Sequence, residues 1–252
     1  MNKSDETTKA DLHSDTYIED KDWEAEYVLR GAYHYSLSGF SAWFLETNHQ
    51  LLTKMVAGAE RVLDLGCGDG RLKSYIGPHS TVIGLDVSRT GIALARGSGP
   101  RALWVCSRMP YLPFRDRSFD GVVSSLALQY LNLEDWVPML SEVKRVLAKG
   151  GRFAFSHINP HHRLHSEHIR SRKRRGATLR PVLSLEQVIR LLRRSDFNVQ
   201  KCVGTNLPFR QERLPAPVRY LAFGIARRAG YFLPSKSYHY VVLASPRADA
   251  RR

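Results

Sequence analysis

The chain has 252 residues, 43% of them hydrophobic, with a formal net charge of +14 and a pI near 10.0. That length fits one domain with embellishments, and no run of 18 apolar residues is present to form a membrane-spanning helix. The charge is uneven: residues 1–60 hold 5 basic and 11 acidic side chains, 61–150 hold 12 and 8, and 151–252 hold 21 and 5, so an anionic partner would meet the C-terminal part.

Residues 1–22 are acidic and lack the apolar stretch of a secretory signal. They read as a disordered acidic tail, or as a strap over the basic half. Residues 23–59 read as an N-terminal cap. Within it, Trp23 to Phe40 is too polar and aromatic for a simple helix and carries Tyr33, His34 and Tyr35. Ala42 to Val56 is amphipathic, with Trp43, Phe44, Thr47, Leu51 and Met55 near one helical face. Cys67, Cys106 and Cys202 are odd in number and lack metal-ligand spacing, which fits reduced thiols of a cytoplasmic protein.

The main domain spans 60–252. It opens on Arg-Val-Leu-Asp-Leu-Gly-Cys-Gly-Asp-Gly-Arg-Leu, residues 61–72. A short apolar run, Val62 to Leu65, has the length of a buried strand. Gly66, Gly68 and Gly70 follow, then a helix from Arg71 to Ile76 stopped by Gly77-Pro78. Strand, glycine turn and helix form a nucleotide-binding first turn. A dinucleotide fingerprint would space its glycines G-x-G-x-x-G and seat a pyrophosphate. Here the spacing is G-x-G-x-G, and Asp64 and Asp69 bracket the turn. Two carboxylates suit a cationic ligand. Ser80 to Leu85 is a second strand ending at Asp86, about twenty residues past the glycines, where a carboxylate can accept both hydroxyls of a ribose. Ser88 caps a helix to about Ala95.

These stretches resemble the first and second motifs of class I S-adenosylmethionine-dependent methyltransferases, acidic-x-G-x-G-x-G and the Gly84-Leu85-Asp86-Val87-Ser88 strand end. Leu112-Pro113-Phe114, then four residues, then Phe119-Asp120 is similar to the small-molecule, type 11-like branch of that family. So is Arg145-Val146-Leu147 followed by Gly150-Gly151, although Lys149 replaces a proline. The resemblance covers about residues 60–158. It implies an α/β fold: a Rossmann-like, doubly wound, seven-stranded sheet, mostly parallel with an antiparallel closing strand. It implies S-adenosyl-L-methionine as cofactor; no metal is expected, since the sequence holds no acidic cluster of the catechol-type kind. It also implies a cofactor set of Asp64, Gly66, Cys67, Gly68, Asp86, Val87, Met109 and Leu126. In that branch an Asp usually meets the adenine, but this chain has Arg108 there, next to Ser107.

Ala102 to Cys106 is the third strand, Asp120 to Ala127 the fourth and Arg152 to Ile158 the fifth. Leu133 to Ala148 is a long helix between the last two. Gln129 and Tyr130 follow the fourth strand where the family often carries a His or aromatic residue beside the reactive methyl. His157 ends the fifth strand and would face the crevice as a proton acceptor. Candidates for acceptor handling are thus His157, Tyr130 and His34. Each has a plainer reading as a packing residue.

The acceptor-specific insertion spans about 159–236. His161, His165 and His168 share helical spacing, but only Glu167 accompanies them, so a metal is not expected. The run Arg170 to Arg175 reads as a solvated loop that could also grip phosphates. Leu183 to Arg194 is a helix and Phe197 to Val203 a strand. Pro215 to Pro234 mixes aromatics with arginines, as a lid helix or a contact with an anionic membrane surface. Tyr238 to Ala244 closes the sheet. The leading function is methyl transfer to a small molecule, natural product, quinone or lipid-like. An RNA methyltransferase of the tRNA-modifying kind and a non-catalytic binder of the cofactor are the alternatives.

Overall fold

The computed structural model describes residues 17–19, 22–30, 40–97, 101–205, 225 and 228–247. Strands are β1 Tyr17–Glu19, β2 Arg61–Leu65, β3 Thr81–Asp86, β4 Ala102–Cys106, β5 Phe119–Ser125, β6 Leu147–Ile158, β7 Leu179–Pro181, β8 Phe197–Thr205 and β9 His239–Pro246. Helices are α1 Trp23–Arg30, α2 Phe40–Met55, α3 Arg89–Ala95, α4 Trp136–Val146, α5 Arg163–Arg174 and α6 Leu185–Arg194.

Seven strands form one sheet in the order β4-β3-β2-β5-β6-β9-β8. β2 pairs parallel with both β3 and β5, and β5 with β6. Only β9 runs against its neighbours, antiparallel to β6 and to β8. The sheet is therefore the expected mostly parallel one with an antiparallel closing strand. Chain order grows outward from β2 to β4 on one side and to β6 on the other, and then β9 inserts between β6 and β8. A crevice opens at the carboxyl ends of β2 and β5, where such a sheet seats a ligand.

Both faces of the sheet are covered. On one face Leu63, Val122, Phe153, Phe155 and Val242 meet Trp136, Met139 and Val143 of α4 and Val188, Leu191 and Leu192 of α6. On the other, Val62, Val123, Ala154 and Val241 meet Leu52, Met55 and Val56 of α2. Burial on both faces explains why these strands read as continuous apolar runs.

Several expectations need correction. The segment from Trp23 is helical: Asp22 Oδ1 accepts from the Ala25 amide at 3.2 Å, and Glu24 and Glu26 occupy the first turn of α1. Tyr17–Glu19 are no disordered tail but pair antiparallel with β7. After the glycine turn the chain forms only a 3-10 helix, Arg71–Tyr75, which ends where Ile76 turns to extended geometry ahead of Gly77-Pro78. The helix predicted over Leu133 to Ala148 is a 3-10 turn, Leu133–Asp135, followed by α4. Leu147 and Ala148 already belong to β6. Gly150, at φ 79, bulges that strand so that Leu147 pairs with Phe119 and Arg152 with Gly121. Residues 170–174 are no loop; they lie in α5. Most of Pro215 to Pro234 lies outside the described residues.

Candidate functional site

β2 carries Asp64 to the sheet edge, and the chain then reverses through Gly66 at φ 70 and Gly68 at φ 54. A Cβ on Gly66 would overlap the Ala127 side chain, so glycine is required there on both counts. The turn is pinned to β3: the Gly66 and Cys67 amides both donate to Leu85 O, at 2.7 and 3.1 Å. Asp86 completes the cradle. Its Oδ2 accepts from the Gly68 amide at 2.8 Å and its Oδ1 from the Ser88 amide at 2.9 Å. Ser88 then caps α3 by accepting from the Gly91 amide at 2.9 Å.

Asp64, Asp69 and Asp86, with Asp22, Glu24 and Asp135, line one cavity of about 540 Å³, a usual ligand-site volume. Burial, then the charges of Asp86 and Asp69, push the Asp64 carboxyl up to about 8. Burial also raises Asp86, against the opposing effect of its amide donors. Asp64 Oδ2 is buried and has no hydrogen-bond partner. A buried acceptor of this kind is costly unless something donates to it. The site therefore fits a ligand bearing an ammonium or sulfonium group, and disfavours a pyrophosphate.

Other elements close the cavity. From α1, Glu24 accepts from Ser88 Oγ and Thr90 Oγ1, both at 2.6 Å, which lowers its pKa, largest effect first from Ser88. That contact fastens α1 to the start of α3 and sets Tyr27 over the glycine turn, where a Cβ on Gly68 would meet its hydroxyl. Trp23 stands edge-on to Tyr130, with centroids 5.0 Å apart. From α2 come Leu45 and His49; His49 is buried, with its ring 5.2 Å from that of Tyr75. Past β5, Leu126 takes φ 54, its amide donating to Ser156 Oγ at 3.1 Å, and this aims the backbone into the crevice.

Asp64, Gly66, Cys67, Gly68, Asp86, Val87, Met109, Leu126 and Tyr130 all border this cavity, as does Arg108. Gln129 borders it too, its Oε1 held by the Ile158 amide at 3.1 Å. His157 is different and corrects the expectation made for it. Its side chain is fully buried on the α4 face, tilted against Trp136 at 5.8 Å and stacked on Tyr240 at 5.4 Å. Nδ1 lies 2.8 Å from Ile158 O, and burial lowers the pKa to about 4. His157 does not border the cavity. His34 lies outside the described residues. Sequence reading missed Glu24, Tyr27, His49 and Arg180. The Leu45/His49 spacing of four was the one available signal. Among the described residues no group of three or more His, Cys, Asp or Glu is arranged to hold a metal ion.

A parallel sheet that reverses order beside a glycine turn, with one carboxylate beneath the turn and another at the next strand tip, is the arrangement that the sequence resemblance implies for the cofactor half of a class I methyltransferase domain. Residues 63–155 match the family model described as a methyltransferase domain. Over that span the chain is similar to the type 11 branch of the S-adenosylmethionine-dependent methyltransferases, which supports S-adenosylmethionine as the cofactor. An uncharacterized methyltransferase of Synechocystis is 37% identical over 112 residues, which are 43% of this chain and 53% of that one. The demethylmenaquinone methyltransferase of Thermotoga maritima is 34% identical over 104 residues, 40% and 44% of the two chains. The chain thus spans about half the length of these curated relatives. A solved S-adenosylmethionine-dependent methyltransferase from Mesorhizobium loti shares the fold, with TM-score 0.58, 24% identity, and coverage of 79% of this chain and 99% of that one.

Proposed function

We propose that the protein transfers a methyl group from S-adenosylmethionine to a small-molecule acceptor. The observation that carries this reading is the buried Asp64 oxygen without a donor, beside a second carboxylate at Asp86. In this reading Asp64 and the turn at Gly66 to Gly68 hold the methionine end, with Cys67 beneath it. Asp86 uses its remaining lone pairs for the ribose hydroxyls, Val87, Met109 and Leu126 wall the nucleoside, and Arg108 with Ser107 borders the adenine side. The bound cofactor supplies a methyl group on a positively charged sulfur, so the acceptor needs only to be aligned with it and relieved of a proton. Tyr130 and Trp23 form an aromatic wall for the acceptor. His49 replaces His157 as the imidazole placed to accept a proton, since it borders the cavity.

The name of the Thermotoga relative gives that protein a demethylmenaquinone acceptor, which supports the small-molecule class here. The cytoplasm is the proposed location, in keeping with three free cysteines; no described helix is long and apolar enough to cross a membrane. The basic helix α5 favours a second reading, an RNA acceptor.

Calorimetric titration with S-adenosylhomocysteine, wild type beside Asp86→Asn and Asp86→Ala, tests the cofactor site. Loss of hydrogen bonds to a charged group weakens binding by about 10- to 150-fold. Wild-type protein that fails to bind would end the enzyme reading. Affinity for tRNA that falls steeply with salt, with no turnover of small acceptors, would favour RNA.

A further inference from the structure

Far along the chain from the glycine turn, two neighbouring apolar side chains stand outward on a turn that is tied down from beneath. Residues 228–232 are helical, and Pro234–Lys236 form a 3-10 turn shortly before β9. Phe232 is 78% exposed and Leu233 45%, and Ile225, seven residues before Phe232, is 62% exposed. Tyr231 does the opposite and packs on the cluster that holds Val203 of β8 and Val241 of β9. The buried Ser237 hydroxyl lies 3.2 Å from Gly230 O and 3.0 Å from Leu233 O. The buried Asn159 side-chain amide donates to Ser235 O at 3.0 Å and to Ser237 O at 2.9 Å. These bonds fix the backbone, so Phe232 and Leu233 stay on the outer side.

Cations surround this apolar point. Lys201 of β8 holds its Nζ 4.9 Å from the centroid of the Tyr231 ring, and that ring lies 5.3 Å from the ring of Phe232. Arg228 precedes Phe232 by four residues, on the same helical face. Lys236 closes the turn, its amide donating to Leu233 O at 3.0 Å. All three cations are exposed. Among the described residues no carboxylate forms an ion pair with any of them. Residues 197–247 hold eight Lys or Arg and one acidic residue, Glu212.

We propose that this turn docks the protein on an anionic lipid bilayer. Phe232 and Leu233 enter the boundary between headgroups and acyl chains, and Lys201, Arg228 and Lys236 lie among the headgroup phosphates. The inference goes beyond the methyl-transfer reading and does not depend on it. Exposed apolar side chains set among cations make up an interfacial anchor. An RNA would meet the cations but leave the aliphatic groups of Leu233 and Ile225 in water. Each cation near an anionic surface strengthens binding about 5-fold. With so few apolar groups the attachment is reversible.

The test is sedimentation of full-length protein with vesicles of phosphatidylcholine alone and of phosphatidylcholine mixed with phosphatidylglycerol. The wild type is expected to bind the mixed vesicles at least about 10-fold more tightly. Phe232→Ser with Leu233→Ser should weaken that binding about 10- to 100-fold. Lys201→Gln, Arg228→Gln and Lys236→Gln together should weaken it about 100-fold. Raising salt from about 0.1 to 1 M, which shortens the screening length from about 10 to 3 Å, should remove the preference for mixed vesicles. Thermal melts should match wild type, because every substituted side chain is exposed; should a multiple variant melt early, Phe232→Ser alone carries the test, with a loss of about 10-fold. Failure of the wild type to bind mixed vesicles overturns the proposal. So does equal binding to both kinds of vesicle, or binding that survives both sets of substitutions. A dimer in sedimentation velocity that Phe232→Ser dissolves would give the patch to a second copy of the chain. Affinity for tRNA that the three cation substitutions abolish, without vesicle binding, would give it to RNA. Either result overturns the proposal.

Discussion

Replacing Asp64 by asparagine should separate what this carboxylate does for binding from what it does to stability. The carboxyl moves from 3.8 to about 8 on folding, chiefly through burial. A raised folded pKa means that the folded protein holds the proton more tightly than the unfolded chain does. Asp64 therefore leaves stability intact below about pH 4 and erodes it as pH climbs toward 8. Four units at about 1.4 kcal/mol each give an upper bound of about 6 kcal/mol. Mutational data for polar groups buried without a partner suggest about 1–3 kcal/mol. Asparagine has nearly the same shape and no charge to bury. Thermal melts of the ligand-free proteins from pH 5 to 9 should show the Asp64→Asn variant gaining on wild type as pH rises. For a chain of this size about 1–3 kcal/mol corresponds to about 2–12 °C in Tm. Binding of S-adenosylhomocysteine should behave oppositely. Wild-type affinity should rise from pH 5 to 8, as its ammonium meets an increasingly ionised carboxylate, and the variant should bind weakly and without that slope. A constant Tm difference across the range, together with a pH-independent affinity ratio, would refute the reasoning.

Two further outcomes are expected. Glu24→Gln loosens the contact of α1 with Ser88 and Thr90, so S-adenosylhomocysteine should dissociate about 2- to 10-fold faster, read in stopped flow from the fluorescence of the neighbouring Trp23; an unchanged rate would mean that α1 does not gate the site. His157 must be neutral in the fold, with its pKa lowered to about 4 from 6.5. Its contribution is complete above pH 6.5 and is lost as pH falls through 4, up to about 3 kcal/mol. His157→Phe should flatten acid unfolding in this window by that amount and leave cofactor binding intact; loss of cofactor binding would place His157 back at the site.

Local patterns were legible in the sequence, and relations between distant segments were not. The glycine turn, Asp86 at its strand tip and the Ser88 cap each depend on a few neighbouring residues, so their chemistry could be read directly. The strand Ala102 to Cys106 was read with its observed limits for the same reason. The side of the sheet taken by His157 could not be read. β6 is buried on both faces, so its apolar run hides which alternate residues point where; only the packing of Phe153 and Phe155 against α4 and α6 reveals it. Lys149-Gly150-Gly151 looked like a helix end because a glycine with positive φ serves a cap and a bulge equally well. The helix at Trp23 was missed because Glu24 and Tyr27 are placed by partners more than 40 residues away, at Gly68 and Ser88.

The position of β9 has a consequence for how the chain is made. It is the last of the described strands to be synthesised, yet it lies between β6 and β8. Until it arrives, a nascent chain presents β6 as a long open edge, with Phe153 and Phe155 beside unpaired amides. At about 5–20 residues per second, the 88 residues from Ile158 to Pro246 take about 4–18 s to emerge. During that interval the open edge of β6 can template pairing with a neighbouring chain on the polysome, and slower synthesis lengthens the exposure. A ribosome that stops before His239 would release a product complete in its cofactor half and prone to aggregate.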